Sequence, residues 1–235
     1  MDIHKAKPWR GGREFLKEIG TIVIGVLIAL AGEQAVEALH GKHQANAGEA
    51  VLREAFVREV GNAALREAQD ACVTERLAAL SSIVQRGTES GRLPPVGVIG
   101  HPSFTPWTVG AWEALVADQT VSHLPRAKAI AYTAIVQQTA YLSGLSDREE
   151  AQWALLDSMV GAGRRLSDVE AEQLRITLAA ATDSNVLMSR TSARLRDAVK
   201  ATGLVDAAEF TAAAKRAQDD RPNVAICQRM TVAAS

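Results

Sequence analysis

Two histidines at helical spacing are the first candidates for chemistry in this chain. His40 and His43 lie about one helical turn apart, and Glu37 lies one turn earlier. Imidazole and carboxylate groups at such spacing are ligands that Zn²⁺ accepts. The chain has no HExxH motif and no cysteine cluster, so a pair of solvated histidines is the competing interpretation. We predict no metal site and no cofactor.

Two further histidines, His101 and His123, lie beside prolines and have no identifiable nucleophile or carboxylate partner. The sequence also lacks a GxSxG motif, a P-loop and a Rossmann glycine fingerprint. An enzyme would need a site assembled from scattered residues. The sequence therefore predicts structural histidines and a chain that is not an enzyme.

The two cysteines are candidates for a covalent link. Cys72 falls in a predicted helix and Cys227 falls near the C-terminus. In an oxidising compartment they would form a disulfide, and closing so long a loop stabilises a fold by roughly 4 kcal/mol in the chain-entropy model. Two unrelated buried thiols are the alternative. We favour the disulfide, which would strap the C-terminal tail onto the fold.

Two polar residues interrupt an otherwise apolar helix face. Asn185 and Ser192 belong to a seam in which residues recur at spacings of three and four: Leu174, Leu178, Ala181, Asn185, Met188, Ser192, Leu195 and Val199. A buried polar pair lines a ligand pocket, contacts a partner, or forms a local hydrogen-bond network that fixes helix register. We favour the network.

The elements that position these residues are helices. The composition is 47% hydrophobic but only 4% aromatic, so the core must be built from Ala, Leu, Val and Ile, which favours helix. The pattern predicts a long helix to about residue 86, a loop over 87–106 rich in Gly and Pro, and further helices at about 108–117, 126–162, 167–202 and 206–218.

Local signals support several of these boundaries. Thr108 can cap the short helix, and Trp107 and Trp112 are placed to hold the loop on the fold as structural anchors. Ser167 with Glu170 matches a capping box. Because few residues separate helices 126–162 and 167–202, they must form an antiparallel hairpin. Packed against the first helix, the hairpin predicts an elongated all-α, up-and-down bundle.

The start of the chain carries an apolar segment. Ile19 to Gly32 contains no charge, and the apolar pattern extends from Phe15 to Val36, which as a helix rises about 33 Å and spans the roughly 30 Å hydrocarbon core. We therefore predict a transmembrane helix at 15–36. Trp9, Arg13 and Lys17 are predicted to lie at the membrane interface.

Lysine and arginine distribution predicts the orientation of this helix. The residues up to 17 carry Lys5, Lys7, Arg10, Arg13 and Lys17, whereas the fifteen residues after Gly32 carry only Lys42. This bias favours a cytoplasmic leader at 1–14 and a domain at 37–235 that faces the periplasm or the cell exterior. We predict a bacterial inner-membrane protein whose domain is periplasmic. A signal peptide cleaved after Ala31 is the main alternative, and a buried core helix is another.

Small residues and net charge indicate the partners. Gly25, Ala29 and Gly32 form a stripe on which another membrane helix can approach closely, so we predict membrane lipid and either other membrane subunits or a second copy as partners. The chain has 26 Lys and Arg against 27 Asp and Glu. No basic surplus exists to attract nucleic acid, and we predict no nucleic-acid partner.

Three segments carry a resemblance to a protein family. The opening PWRGGREFLKEIGTIVIGVLIALAGEQAVEAL, the central FTPWTVGAW and the single tail cysteine resemble uncharacterised proteobacterial single-pass membrane proteins that share this N-terminal anchor. The resemblance implies an uncleaved N-terminal helix and a helical extracytoplasmic domain. It implies no activity.

Two function hypotheses follow from these patterns. The first is a membrane-anchored helical interaction protein, an accessory or scaffolding subunit of an inner-membrane complex. The second is an extracytoplasmic domain that binds a small molecule or acts as a sensor, because helical bundles hold ligands between their helices. An enzyme is the least supported class.

Overall fold

The computed structural model describes residues 11–230, except for the side chain of Glu14. Over this range the protein is all-α, as predicted, with one short two-stranded sheet. The described helices are α1 (Gly12–Ser90), α2 (Gly110–Ala117), α3 (Arg126–Leu156), α4 (Asp168–Thr202) and α5 (Ala207–Asp220). The sheet pairs β1 (Arg92–Leu93) with β2 (Arg164–Arg165) in antiparallel register.

Helix α1 is 79 residues long, which corresponds to about 120 Å. Its sequence contains no proline and is rich in strong helix formers, so nothing interrupts its hydrogen-bond ladder. The helix ends when Gly91 adopts a left-handed conformation with φ of +67°, a conformation that glycine takes without steric cost. It therefore continues four residues beyond the predicted end at 86, to Ser90.

Helix α1 has two parts with different surroundings. Residues 12–40, called the free segment here, extend beyond the rest of the fold, and every side chain from 21 to 40 is exposed. Buried positions begin at Gly41 and then recur along the helix to Gly87. One continuous helix thus forms both the exposed free segment and, from Gly41 onward, part of the helical bundle.

The remaining helices pack along the second part of α1. Helix α3 runs in the same direction as α1, because Lys128 at its start contacts Glu49 and Glu149 near its end contacts Arg66. Helix α4 returns between them, and α5 packs against α1. The predicted antiparallel hairpin of α3 and α4, packed against α1, is confirmed.

The hairpin between α3 and α4 differs from the prediction. Helix α3 ends at Leu156 rather than at 162, and a 3-10 turn, Asp157–Met159, follows it. Gly161 has a φ of +136° and exchanges two backbone hydrogen bonds with Val96, of 2.8 and 3.0 Å. Val96 belongs to residues 94–109, called the returning loop here, which connect β1 to α2. Pairing with this loop satisfies the backbone N–H and C=O groups of Gly161 in place of another helical turn.

Side-chain capping explains where α4 begins but not where α2 begins. The hydroxyl of Ser167 accepts a hydrogen bond of 3.3 Å from the backbone N–H of Glu170 at the start of α4, so the predicted N-cap is confirmed. The prediction that Thr108 caps α2 is wrong. Helix α2 begins at Gly110, and the Thr108 N–H and hydroxyl instead donate to the buried carboxylate of Glu59.

The apolar core has two clusters along the bundle. The cluster next to the free segment contains Leu52, Phe56 and Tyr132, with Trp107 buried in it and Trp112 half-buried against it. The far cluster surrounds Trp153, which is 1% exposed. Trp107, from the loop before α2, and Trp112, from α2 itself, thus pack in and against this cluster.

A disulfide joins the C-terminal tail to α1. Cys72 and Cys227 are bonded, with their Cα atoms 5.0 Å apart, in agreement with the predicted bridge. Next to it, the guanidinium of Arg76 donates to the carbonyl oxygens of Ile226 and Gln228. Gly100 of the returning loop lies so close to the tail that a Cβ there would be 2.5 Å from the carbonyl oxygen of Ala225. The tail therefore covers the returning loop.

Replacing Cys227 with serine tests the contribution of this bridge. We expect the Cys227→Ser variant to lose about 2–5 kcal/mol of unfolding free energy, because the unfolded chain gains the entropy that the long closed loop removes. Chemical denaturation of the full chain followed by circular dichroism measures the loss. A reducing agent should destabilise the wild type and leave the variant unchanged; equal midpoints for oxidised wild type and variant would contradict the expectation.

Candidate functional site

The free segment exposes a continuous apolar surface. Its large aliphatic side chains are 40–68% exposed, from Leu16 through to Leu39. No other described helix is long and apolar enough to cross a membrane, and none of this apolar stretch is covered by the chain itself. Exposed apolar areas of this extent mark surfaces that bind another apolar phase or partner.

The predicted packing stripe lies within this surface. A Cβ at Gly25 or at Gly32 would have no neighbour within 4 Å, and Ala29 is exposed between them. Arg13 and Lys17 are exposed near the start of α1, and the carbonyl oxygen of Lys17 accepts a hydrogen bond from Thr21. Trp9, the third predicted interface residue, lies outside the described residues.

A groove lies where the free segment enters the bundle. This junction groove has a volume of about 570 Å³, and its lining includes Glu37, Gly41, Lys42, Glu49, His123 and Lys128. Its two walls are α1 and the segment that leads into α3. The groove therefore combines two carboxylates, two lysines and an imidazole at the base of the projecting helix.

Two glycines of α1 let the opposite wall approach closely. A Cβ at Gly41 would lie 2.7 Å from Nδ1 of His123, and a Cβ at Gly48 would lie 2.6 Å from the Thr120 methyl carbon. The 3-10 turn Thr120–His123 thus packs directly on the α1 backbone. The histidine predicted as structural does hold this contact, and it also lines the junction groove.

An ion pair lies at the outer end of the junction groove, the end farthest from the free segment. Lys128 donates to both carboxylate oxygens of Glu49, at 2.6 and 2.8 Å, and the Tyr132 hydroxyl donates to the same carboxylate at 3.0 Å. Burial raises the pKa of Tyr132 well above its usual range, and the hydrogen bond and charge of Glu49 raise it further. These contacts occupy both oxygens of the Glu49 carboxylate.

A buried polar network crosses the middle of the bundle. The guanidinium of Arg66 donates to Glu149 at 2.7 Å and to the amide oxygen of Asn185 at 2.6 Å, which links α1, α3 and α4. The side chains of Arg66 and Glu149 are only 3% and 2% exposed. Burial raises the pKa of the Glu149 carboxyl, and the charge and hydrogen bond of Arg66 oppose that rise.

Asn185 continues the network toward the surface. Its amide donates to Asp70 at 3.0 Å and to Thr74 at 3.3 Å, and Ser189 also donates to Asp70. The structure thus places Asn185 in a hydrogen-bond network. Ser192 is buried but its hydroxyl has no hydrogen-bond partner among the described residues, so the structure does not bring it into the network.

The network partners of Asn185 were absent from the sequence-based predictions. Arg66 occupies a position in the three-and-four spacing of α1 between Ala63 and Val73, where the pattern favours an apolar side chain. A charged residue at such a position was the available signal for a buried ion pair. The identity of its partner, Glu149, depends on how α3 packs, which no local pattern reveals.

A second groove lies between α1 and α4. It has a volume of about 470 Å³, and its lining includes Thr74, Leu77, Arg175, Leu178, Asn185 and Val186. Asn185 connects this groove to the buried network. The wall is mainly short side chains with one exposed arginine.

The other candidate histidines do not gather into a site. His40 makes a 3.3 Å contact with Gln44 on an exposed face, and His43 is exposed. His101 contacts the carbonyl oxygen of Pro102 and stacks on Phe104. Within residues 11–230, no three His, Cys, Asp or Glu side chains are arranged to hold a metal ion.

Comparisons with known proteins add no information on function. Neither a protein-family model nor a curated protein nor a solved structure matches the chain. The resemblance to single-pass proteobacterial membrane proteins therefore stays a prediction from short sequence segments. What bears on function is the geometry of the described residues.

Removing one partner of the buried ion pair should be costly. We expect Arg66→Met to lower the unfolding free energy by about 3–5 kcal/mol, because it leaves the Glu149 carboxyl buried without its partner. The double variant Arg66→Met, Glu149→Leu should recover at least half of that loss, since no charge then stays buried. Chemical denaturation of the full chain gives these values.

An exposed pair provides the control for this experiment. Arg175→Met breaks the exposed pair with Glu172 and should change the unfolding free energy by less than about 1 kcal/mol. A double variant as unstable as Arg66→Met alone would show that the cost comes from lost packing and not from the unpaired carboxyl.

Two glycine substitutions in α1 should have opposite effects. Gly48→Ala forces a methyl group against Thr120 and should destabilise the bundle by about 1–3 kcal/mol despite the better helix propensity of alanine. Gly61→Ala meets nothing within 4 Å and should stabilise by up to about 1 kcal/mol. Thermal unfolding of both variants measures the difference, and equal shifts would argue against the close contact at Gly48.

Proposed function

We propose that this protein is a single-pass membrane protein whose bundle works by binding another membrane component. The observation that carries the proposal is the free segment, an apolar helix that no other described part of the chain covers. A buried core helix has its apolar face covered by its own fold. The segment from 15 to 36 is long enough to cross a bilayer, and lipid is the apolar phase that would surround it.

The disulfide supports placing the bundle on the oxidising side of the membrane. Disulfides persist in the periplasm and outside the cell and are rare in the cytosol. The excess of Lys and Arg before the apolar segment favours the same orientation, with the leader in the cytoplasm. We therefore propose an inner-membrane protein with a periplasmic bundle.

The continuity of α1 supports a role as an accessory or scaffolding subunit. The helix passes from the free segment into the bundle without a break, and the turn Thr120–His123 is packed against it at the point of entry. The bundle would therefore be held at a fixed height and orientation relative to the membrane. Contact through Gly25, Ala29 and Gly32 with a partner helix would fix its position laterally as well.

A small-molecule-binding or sensor domain is the second candidate. The two grooves, of about 570 and 470 Å³, fall within the size range of ligand sites in proteins. Saturable thermal stabilisation of the purified protein by a small molecule would favour this function over scaffolding.

Filling the small-residue stripe tests the interaction function. The double variant Gly25→Ile, Ala29→Ile keeps the segment apolar but blocks close helix approach. The matched control Gly20→Ile, Ala31→Ile places the same bulk about 140° away around the helix. We expect all three proteins to resist alkaline extraction from membranes. In mild detergent, wild type and control should co-purify with a membrane protein or a second copy, and the stripe variant should be monomeric.

The two readouts separate anchoring from association. Release of the wild type by alkaline extraction would contradict the membrane anchor. A wild type that stays in the membrane but purifies as a monomer without a partner would contradict the scaffolding function and leave the anchor intact.

A further inference from the structure

If α1 spans the bilayer, the rise of the helix determines how far the junction groove lies from the hydrocarbon core. Val36 ends the predicted span and Glu37 follows it directly. Lys42 lies about 9 Å beyond Val36 along the helix axis. The headgroup layer outside the hydrocarbon core is about 5–8 Å thick on each side. The end of the groove nearest the bilayer, called its inner end here, therefore runs from the headgroup layer at Glu37 to the outer edge of that layer at Lys42. The phospholipid headgroups there bear a phosphate and, in zwitterionic lipids, an ammonium group.

The charged groups of the groove divide into a paired and an unpaired set. At the outer end, the Glu49 carboxylate already accepts hydrogen bonds from Lys128 and Tyr132. At the inner end, neither Lys42 nor Glu37 makes an ion pair with any described residue. One cation and one anion thus remain available in the part of the groove nearest the bilayer.

These two groups flank the groove. At 3.6 residues per turn, Glu37 and Lys42 are about 140° apart around α1, with Gly41 between them on the face that meets His123. The absence of a side chain at Gly41 brings the His123 ring against the helix backbone. The imidazole adds a hydrogen-bonding group on the wall of the groove that faces α1.

We infer that the junction groove binds the headgroup of one zwitterionic phospholipid. Lys42 and His123 hold the phosphate, by charge and by an N–H donor, and the Glu37 carboxylate holds the ammonium. The inference rests on the proposed membrane anchor and deepens it, because it assigns a specific lipid contact to the point where α1 leaves the bilayer. A lipid with a phosphate but no ammonium would leave Glu37 beside an uncompensated negative charge, so the site discriminates against it.

Lipid retention measures this selectivity. The full chain is inserted into nanodiscs of equal parts phosphatidylethanolamine, phosphatidylcholine and phosphatidylglycerol, transferred to mild detergent, and the lipid that stays bound is quantified by mass spectrometry. We expect the wild type to retain the two ammonium-bearing lipids at least fivefold over phosphatidylglycerol. Lys42→Gln should lose retention of all three lipids, and Glu37→Gln should keep binding but lose the preference.

Matched substitutions outside the groove provide the controls. Lys200→Gln and Glu75→Gln remove the same charges at exposed positions of the bundle and should retain lipid as the wild type does. Equal retention of the three lipids by the wild type, or a Lys42→Gln variant indistinguishable from Lys200→Gln, would overturn the headgroup site.

Two further readouts separate lipid binding from binding of a soluble phosphoester and from failure of the membrane anchor. Glycerophosphoethanolamine, which has the same headgroup without acyl chains, should not compete with lipid at equal concentration; competition would assign the groove to a soluble phosphoester and overturn the lipid assignment. A wild type that fails to enter nanodiscs would overturn the anchor and the headgroup site together. Normal insertion with unselective retention would overturn the headgroup site alone.

Discussion

The uninterrupted hydrogen-bond ladder of α1 is the constraint on which the rest of the structure depends. Every other described helix packs against its second part or, as with α3, is tied to it by side chains such as Lys128 on Glu49. An isolated helix has little stability in water, and packing of an apolar face supplies most of the stability of helices in proteins. The bundle thus stabilises α1 only from Gly41 onward, and the free segment needs an apolar surrounding of its own.

The buried ion pair constrains how three helices of the bundle pack against one another. Removing Arg66 and Glu149 from water is costly, and well-packed apolar residues often serve stability equally well. The pair instead requires one relative register of three helices, because Arg66 must reach Glu149 on α3 and Asn185 on α4 together. A bundle built mainly from Ala, Leu and Val has few large side chains to fix register. We propose that this network selects the observed register of the three helices over shifted ones.

The sequence was informative where the signal is local and less so where it depends on tertiary contact. Helix spacing, the Ser167 cap and the hairpin of α3 and α4 follow from periodicity and capping chemistry, and the structure agrees with them. The end of α3 and the role of Thr108 were predicted wrongly, because a backbone pairing with Val96 and a buried carboxylate of Glu59 compete for those groups. The junction groove was missed for the same reason: its residues come from segments about 80 positions apart, such as Glu49 and Lys128.

The separation of the two disulfide cysteines along the chain has a consequence for how the protein matures. Cys227 follows its partner Cys72 by 155 positions. In the proposed orientation, Cys72 reaches the periplasm early during export and waits as a thiol until all of the intervening residues have followed it. In that orientation the disulfide therefore forms only late in translocation, once Cys227 has also reached the oxidising side.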